Sequence, residues 1–126
     1  MDDLDYEHFV EIYKNPKHRG IIKKGVEGSA SNMPCGDRIT IYLDIDNGGK
    51  IRNAKHNGYG CALSVSSADL LCNYIIGKKI KVVCKMDFED IVKLLKFTPS
   101  IGRAGCVAVS IDALHNACKK ANKYLE

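Results

Sequence analysis

Hydrophobic and polar residues alternate most cleanly over residues 38–45. Ile39, Ile41, Leu43 and Ile45 share one parity and Arg38, Thr40, Tyr42 and Asp44 the other, the period-2 signature of a strand with one wet face. Asp46-Asn47-Gly48-Gly49 follows, and Asn and Gly accept the positive φ that a tight hairpin needs, so 50–58 is predicted to return as an antiparallel partner. Elsewhere the spacing is helical. Phe9, Val10 and Tyr13 predict a short helix over 6–15, which Asn15-Pro16 ends because a residue before proline is driven from the α region. The glycine-punctuated stretch 20–31 has room for one more strand.

After Gly60 the pattern turns helical again. Leu63, Leu70, Leu71, Tyr74 and Ile75 predict a helix over 62–76 closed by Gly77, and Ile91, Leu94 and Leu95 a shorter one over 87–97. The final helix is the most regular: Val107, Ile111, Leu114, Cys118, Ala121 and Leu125 recur at alternating steps of four and three. Strands grouped early and helices late predict an α+β fold, a small antiparallel sheet of about three strands with helices packed on one face. No linker, repeat or low-complexity tract interrupts 1–126, which reads as a single domain.

Composition narrows the function classes. The 126 residues are 45% apolar and 27% charged, ordinary globular values. No apolar run is long enough to span a membrane, and the acidic opening Met1-Asp2-Asp3-Leu4-Asp5 resembles neither a secretory nor a transit signal, so a cytoplasmic protein is expected. The net charge of +4 is scattered, Trp is absent and Phe and Tyr are few, which argues against nucleic-acid binding. The clusters Lys78/Lys79/Lys81 and Lys119/Lys120/Lys123 read as solvated helix ends.

Six cysteines without an export signal are expected as thiols, serving metal or chemistry rather than disulfides. Cys35, Cys61 and Cys106 lie at element junctions: Cys35 in Pro34-Cys35-Gly36-Asp37, Cys61 after Gly58-Tyr59-Gly60, and Cys106 after Gly102-Arg103-Ala104-Gly105. Flanking glycines let backbone N–H groups approach sulfur, and a helix N-terminus favours a thiolate, which Cys61 and Cys106 would both enjoy. Cys72, Cys84 and Cys118 read instead as buried filler. There is no C-x-x-C, so spacing alone leaves a shared metal site an open alternative.

Asn15-Pro16-x-x-x-Gly20, Met33-Pro34-Cys35-Gly36-Asp37, Ala54-Lys55-x-x-Gly58-x-Gly60-Cys61-Ala62-x-Ser64-x-Ser66-Ser67 and the distant Cys106 together resemble the U-type iron–sulfur assembly scaffolds, namely IscU, the N-terminal domain of NifU, and SufU. The resemblance runs from about Tyr6 to the end of the chain and implies a metal site at one end of the fold. It implies Cys35, Asp37, Cys61 and Cys106 as ligands of a transient 2Fe–2S cluster built from ferrous iron, with Zn2+ able to take the same donors. One carboxylate in place of the usual fourth thiolate makes a harder, weaker iron ligand, so the cluster is held but can be released. Asp37 would share a side with Cys35 if the segment between them is extended.

The resemblance further implies sulfur supply by a cysteine desulfurase of the IscS, NifS or SufS type, with Cys106 and Cys35 the candidate acceptors and Arg103 a charge support beside Cys106. Apo iron–sulfur proteins would be the recipients, with an iron donor or a ferredoxin as further partners. Two departures bear on mechanism. Gly105 stands where IscU and NifU carry a histidine, and Pro99-Ser100-Ile101-Gly102-Arg103 replaces the Leu-Pro-Pro-Val-Lys motif of a specialised DnaK-type chaperone, which argues against dependence on that chaperone. Gly105 and Arg103 look more like SufU, whose insertion between the second and third cysteines is missing here. The reading is therefore a scaffold, more a carrier than an enzyme, with a zinc-dependent sulfurtransferase as the alternative. His56 reads as a core or surface strand histidine rather than a ligand, and His8, His18 and His115 lack ligand spacing.

Overall fold

In the computed structural model, residues 3–32 and 36–121 are described. The elements follow in the order α1 (Asp3–Lys14), β1 (Val26–Asn32), β2 (Asp37–Ile45), β3 (Ile51–Tyr59), α2 (Ala62–Ile75), α3 (Ile80–Val83), α4 (Phe88–Leu95) and α5 (Ala104–Lys120), with a 3-10 turn at Ile101–Arg103. The three strands form one antiparallel sheet in the order β1-β2-β3. This bears out the α+β architecture, and the glycine-punctuated stretch does contain a strand. Helix α1 starts three residues before the predicted Tyr6, and α3 is a single four-residue helix that no periodicity announces.

The alternation in β2 decides what faces the helices. Ile39, Ile41, Leu43 and Ile45 are buried while their neighbours are exposed or half-buried, and Asp37 has the same parity. The rule that buries four aliphatic side chains therefore also delivers a carboxylate to the covered side of the sheet. Helices α2 and α5 cover that side, contributing Leu63, Val65, Leu71, Ile75, Val107, Ile111 and Leu114 to a continuous core.

The buried serines of α2 are tied down. Ser66 Oγ donates to the Phe9 carbonyl at 2.7 Å, fastening α2 to α1, and Ser67 Oγ donates to the Leu63 carbonyl at 2.7 Å. Asp87 and Asp90 cap α4 reciprocally, each side chain accepting from the other's backbone N–H at 3.1 and 2.9 Å.

Two cysteines depart from their reading as separate fillers. Cys84, the C-cap of α3, and Cys118, on the apolar stripe of α5, are joined as a disulfide with Cα atoms 5.9 Å apart. The stripe brings Cys118 under the end of α3, and the spacing lies within disulfide reach. Cys72 is a buried free thiol, and burial followed by the Asp69 charge pushes its pKa well up. Leu125 and Lys123 lie outside the described residues.

Lys78 sits 4.0 Å over the Tyr74 ring and Lys79 donates to the Gly48 carbonyl, so both local lysines have intramolecular work. Among the described residues no helix is long and apolar enough to cross a membrane.

Candidate metal centre

An antiparallel three-strand meander brings the end of β1, the start of β2 and the end of β3 to one edge. Asp37 is the first residue of β2. Chain continuity through Gly60 then places Cys61 as the N-cap of α2, and the 3-10 turn places Cys106 in the first turn of α5. One ligand atom from each of Asp37, Cys61 and Cys106 lies within 4.8 Å of the other two. Donors arranged tetrahedrally about 2.3 Å from an ion are about 3.8 Å apart, so the three need to draw in by no more than about 1 Å. Cys35 lies outside the described residues.

The surroundings fit a cation. Asp37 is 3% exposed, and its Oδ2 has no hydrogen-bond partner among the described residues. A buried carboxylate oxygen without a donor is costly unless a positive charge supplies the missing interaction. Burial, and after it the neighbouring Cys61 and Asp37, push the Cys106 pKa up to about 12. Two neighbouring groups able to carry negative charge thus add to burial in opposing ionisation of Cys106. A cation among them would invert that balance and stabilise every anion at once. Cys61 and Cys106 stand at helix starts, where the sequence places them.

Gly60 makes the approach of strand and helix possible. A Cβ there would collide with Ser64 Oγ and stand 3.0 Å from Asp37 Oδ1, so any side chain would displace the hydroxyl and crowd the carboxylate. Ser64 itself donates to the Cys61 carbonyl at 3.0 Å, with its Oγ 3.6 Å from Cys61 Sγ. The site opens into a cavity of about 500 Å³ lined by Gly36, Asp37, Tyr59, Gly60, Cys61, Gly102, Arg103 and Cys106. Cys106 is 5% exposed at its floor, Cys61 half-buried, and Arg103 exposed. Tyr59 in its lining is 62% exposed.

One sequence expectation needs correction. An extended backbone between Cys35 and Asp37 was the basis for giving them a common side, but Gly36 has φ +72°, a left-handed conformation. The chain turns at that glycine, and strand parity does not carry across it.

Residues that the motifs did not single out also shape this edge. Asn32, the last residue of β1, pairs with Asp37 and sends its Nδ2 to 3.9 Å from Cys106 Sγ. Nothing in its sequence surroundings marks it. Deeper in α2, the Asp69 carboxylate accepts from the Lys17 and His18 backbone N–H groups at 3.1 and 2.8 Å and meets His56 Nε2 at 2.9 Å. An ionised carboxylate only accepts, so His56 Nε2 carries a proton there. Burial alone would raise the Asp69 pKa, but these hydrogen bonds outweigh it and hold the carboxyl below its usual range. The His56 backbone also bonds the 15–20 segment, accepting from Gly20 N and donating to the His18 carbonyl. A lone acid within Ser67-Ala68-Asp69-Leu70-Leu71 was the available signal, since such a residue is rarely buried unpaired. His56 is thus a structural core residue, and His18 and His115 bond Asn73 Oδ1 and the Met86 carbonyl.

Known proteins share this arrangement of elements. The chain is 31% identical over 103 residues to the zinc-dependent sulfurtransferase SufU of Bacillus subtilis, covering 80% of this chain and 69% of that protein. It is 32% identical over 118 residues to the iron–sulfur cluster assembly enzyme IscU of Drosophila melanogaster, covering 90% and 75%. Among solved structures, FiSufU of Fervidobacterium islandicum AW-1 superposes with a TM-score of 0.71 at 24% identity, covering 94% of this chain and 99% of that one. A NifU-like N-terminal protein of Brucella abortus gives 0.69 at 15%, covering 93% of each. At these two identities the likeness is one of fold. The NifU-like N-terminal domain model matches residues 5–125, and the chain belongs to that family.

Proposed function

We propose that the protein is an iron–sulfur assembly scaffold that receives sulfur from a cysteine desulfurase, gathers it with iron as a 2Fe–2S cluster, and passes the cluster to apo-proteins. The observation that carries this reading is the buried carboxylate with an unpartnered oxygen beside two free thiols at the floor of an open cavity. Thiolates suit iron and sulfide, while the carboxylate is the harder, weaker donor from which a cluster can depart. Cys35 joins Asp37, Cys61 and Cys106 in this proposal.

Sulfur delivery needs no net oxidation. A scaffold thiolate attacks the terminal sulfur of the desulfurase persulfide, a new S–S bond forms, and the desulfurase cysteine leaves as a thiolate. Reducing that sulfur to sulfide takes two electrons, for which a ferredoxin-class donor is the source in this proposal. Cys106 and Cys35 are the proposed acceptors. Arg103 at the rim offsets negative charge on the incoming persulfide.

A second reading, a zinc-dependent sulfurtransferase like the B. subtilis relative, is favoured by one observation. The three donors are gathered within 4.8 Å, a spacing suited to a single ion. In that reading Asp37, Cys61 and Cys106, with Cys35, hold resident zinc, which supplies Lewis acidity and keeps the thiols ionised.

Anaerobic incubation with desulfurase, cysteine and ferrous iron separates the two. Visible cluster absorption that moves to an apo-ferredoxin supports the scaffold. Absence of a transferable cluster, with desulfurase turnover stimulated only by the zinc-loaded chain, overturns it in favour of the sulfurtransferase.

A further inference from the structure

Asn32 and Gly105 meet over the Cys106 sulfur. Asn32 Nδ2 points at Cys106 Sγ from 3.9 Å, within reach of the large sulfur atom. Its amide occupies the space where residue 105 would carry a side chain. A Cβ on Gly105 would stand 2.9 Å from Asn32 Oδ1, 3.0 Å from Nδ2 and 3.1 Å from Cγ. The same asparagine is the strand partner of Asp37. One residue is therefore fixed to the carboxylate through the backbone ladder and reaches a thiol through its side chain.

We propose that Asn32 is a positioning residue for Cys106, its amide seated over the bare α-carbon of Gly105 and donating an N–H bond to the sulfur when that sulfur binds metal. This rests on the metal-site reading above. A hydrogen bond to a ligating sulfur withdraws charge from it and fixes its rotamer, and both effects tune the metal it holds. The bond strengthens when sulfur is anionic, because a charged acceptor is the better one. Gly105 suits this arrangement for want of a side chain: a substituent there would crowd the amide and shift it from its seat over the sulfur. The edge of the sheet and the first turn of α5 are thus matched through a residue that ligates nothing.

Cobalt(II) substitution reads the sulfur directly, through its thiolate-to-metal charge-transfer bands. Asn32→Leu keeps the approximate size and removes the donor, while Gly105→Ala keeps the donor and displaces it. Each is expected to shift the charge-transfer bands to lower energy and to weaken cobalt binding about 10-fold or more. The double variant should do little more than either single one, since both break the same bond. Circular dichroism and thermal melts establish that each variant is folded. If Asn32→Leu does not fold, Gly105→Ala alone carries the test. Thiolate bands that stay at wild-type energy and affinity in whichever variant folds overturn the role of Asn32 and leave the metal site standing. A wild-type chain that shows no thiolate bands with cobalt overturns both.

Discussion

Asp37 and Asp69 are buried to the same degree, 3% and 5% exposed, in elements that pack on one another, yet their surroundings are opposite. Asp69 has two backbone N–H donors and His56 on its oxygens, while Asp37 Oδ2 has no donor among the described residues. Burial of a carboxylate is costly in both places. In one the chain compensates with its own hydrogen bonds, and in the other it leaves an oxygen, with two thiols nearby, for something it does not itself provide. A satisfied buried acid holds the fold. An unsatisfied one beside two sulfurs is the candidate binding site.

The largest effects should come from breaking either end of that contrast. Cys61→Ser or Cys106→Ser should weaken zinc binding by about 100-fold or more, as about a quarter of a four-ligand site's binding energy is lost, with chelator competition as the readout. Unfolding in urea should barely change for the metal-free forms. Asp69→Ala should show the reverse pattern. It orphans the Lys17 and His18 N–H groups and His56, and is expected to cost about 3 kcal/mol in urea unfolding, with zinc affinity near the wild-type value once the protein is folded.

Acid should act through the same residue. The folded Asp69 pKa lies below its unfolded value, so the unfolded chain binds the extra proton first. Its contribution to stability is complete above the ordinary carboxylate range and disappears as pH falls through the folded value. Melting temperature followed from neutral to acid pH should fall less steeply in Asp69→Asn than in the wild type. An equal slope would show that other groups dominate.

Asp37→Ala should have the smallest effect on the metal-free fold, less than about 1 kcal/mol or mildly stabilising, because it deletes a buried oxygen with nothing bonded to it. The same variant should lengthen the lifetime of an assembled cluster. A lifetime equal to that of the wild type would sink the idea that the weak oxygen ligand makes release possible.

Much of this geometry could be read from the chain itself. The alternation of Ile39 to Ile45 marks the strand, and the regular stripe of α5 locates Cys106 at a helix start; that the strand reaches back to Asp37 and puts it on the helix side is seen in the fold. Contacts between segments distant in sequence were harder. The partnership of Cys84 with Cys118 spans 34 residues and depends on how α3 ends against α5, which no local pattern encodes. Asn32 touches Cys106 across 74 residues for the same kind of reason. The left-handed Gly36 is not encoded by the alternation of β2, because parity holds only within the strand that enforces it.

The proposed convergence of three sulfurs and one carboxylate oxygen on one ion is tested most directly by X-ray absorption at the zinc edge of the loaded protein. Three sulfur scatterers at about 2.3 Å and one oxygen at about 2.0–2.2 Å are expected, with the oxygen from Asp37 lost or replaced in Asp37→Ala. A first shell with fewer than three sulfurs would contradict the site.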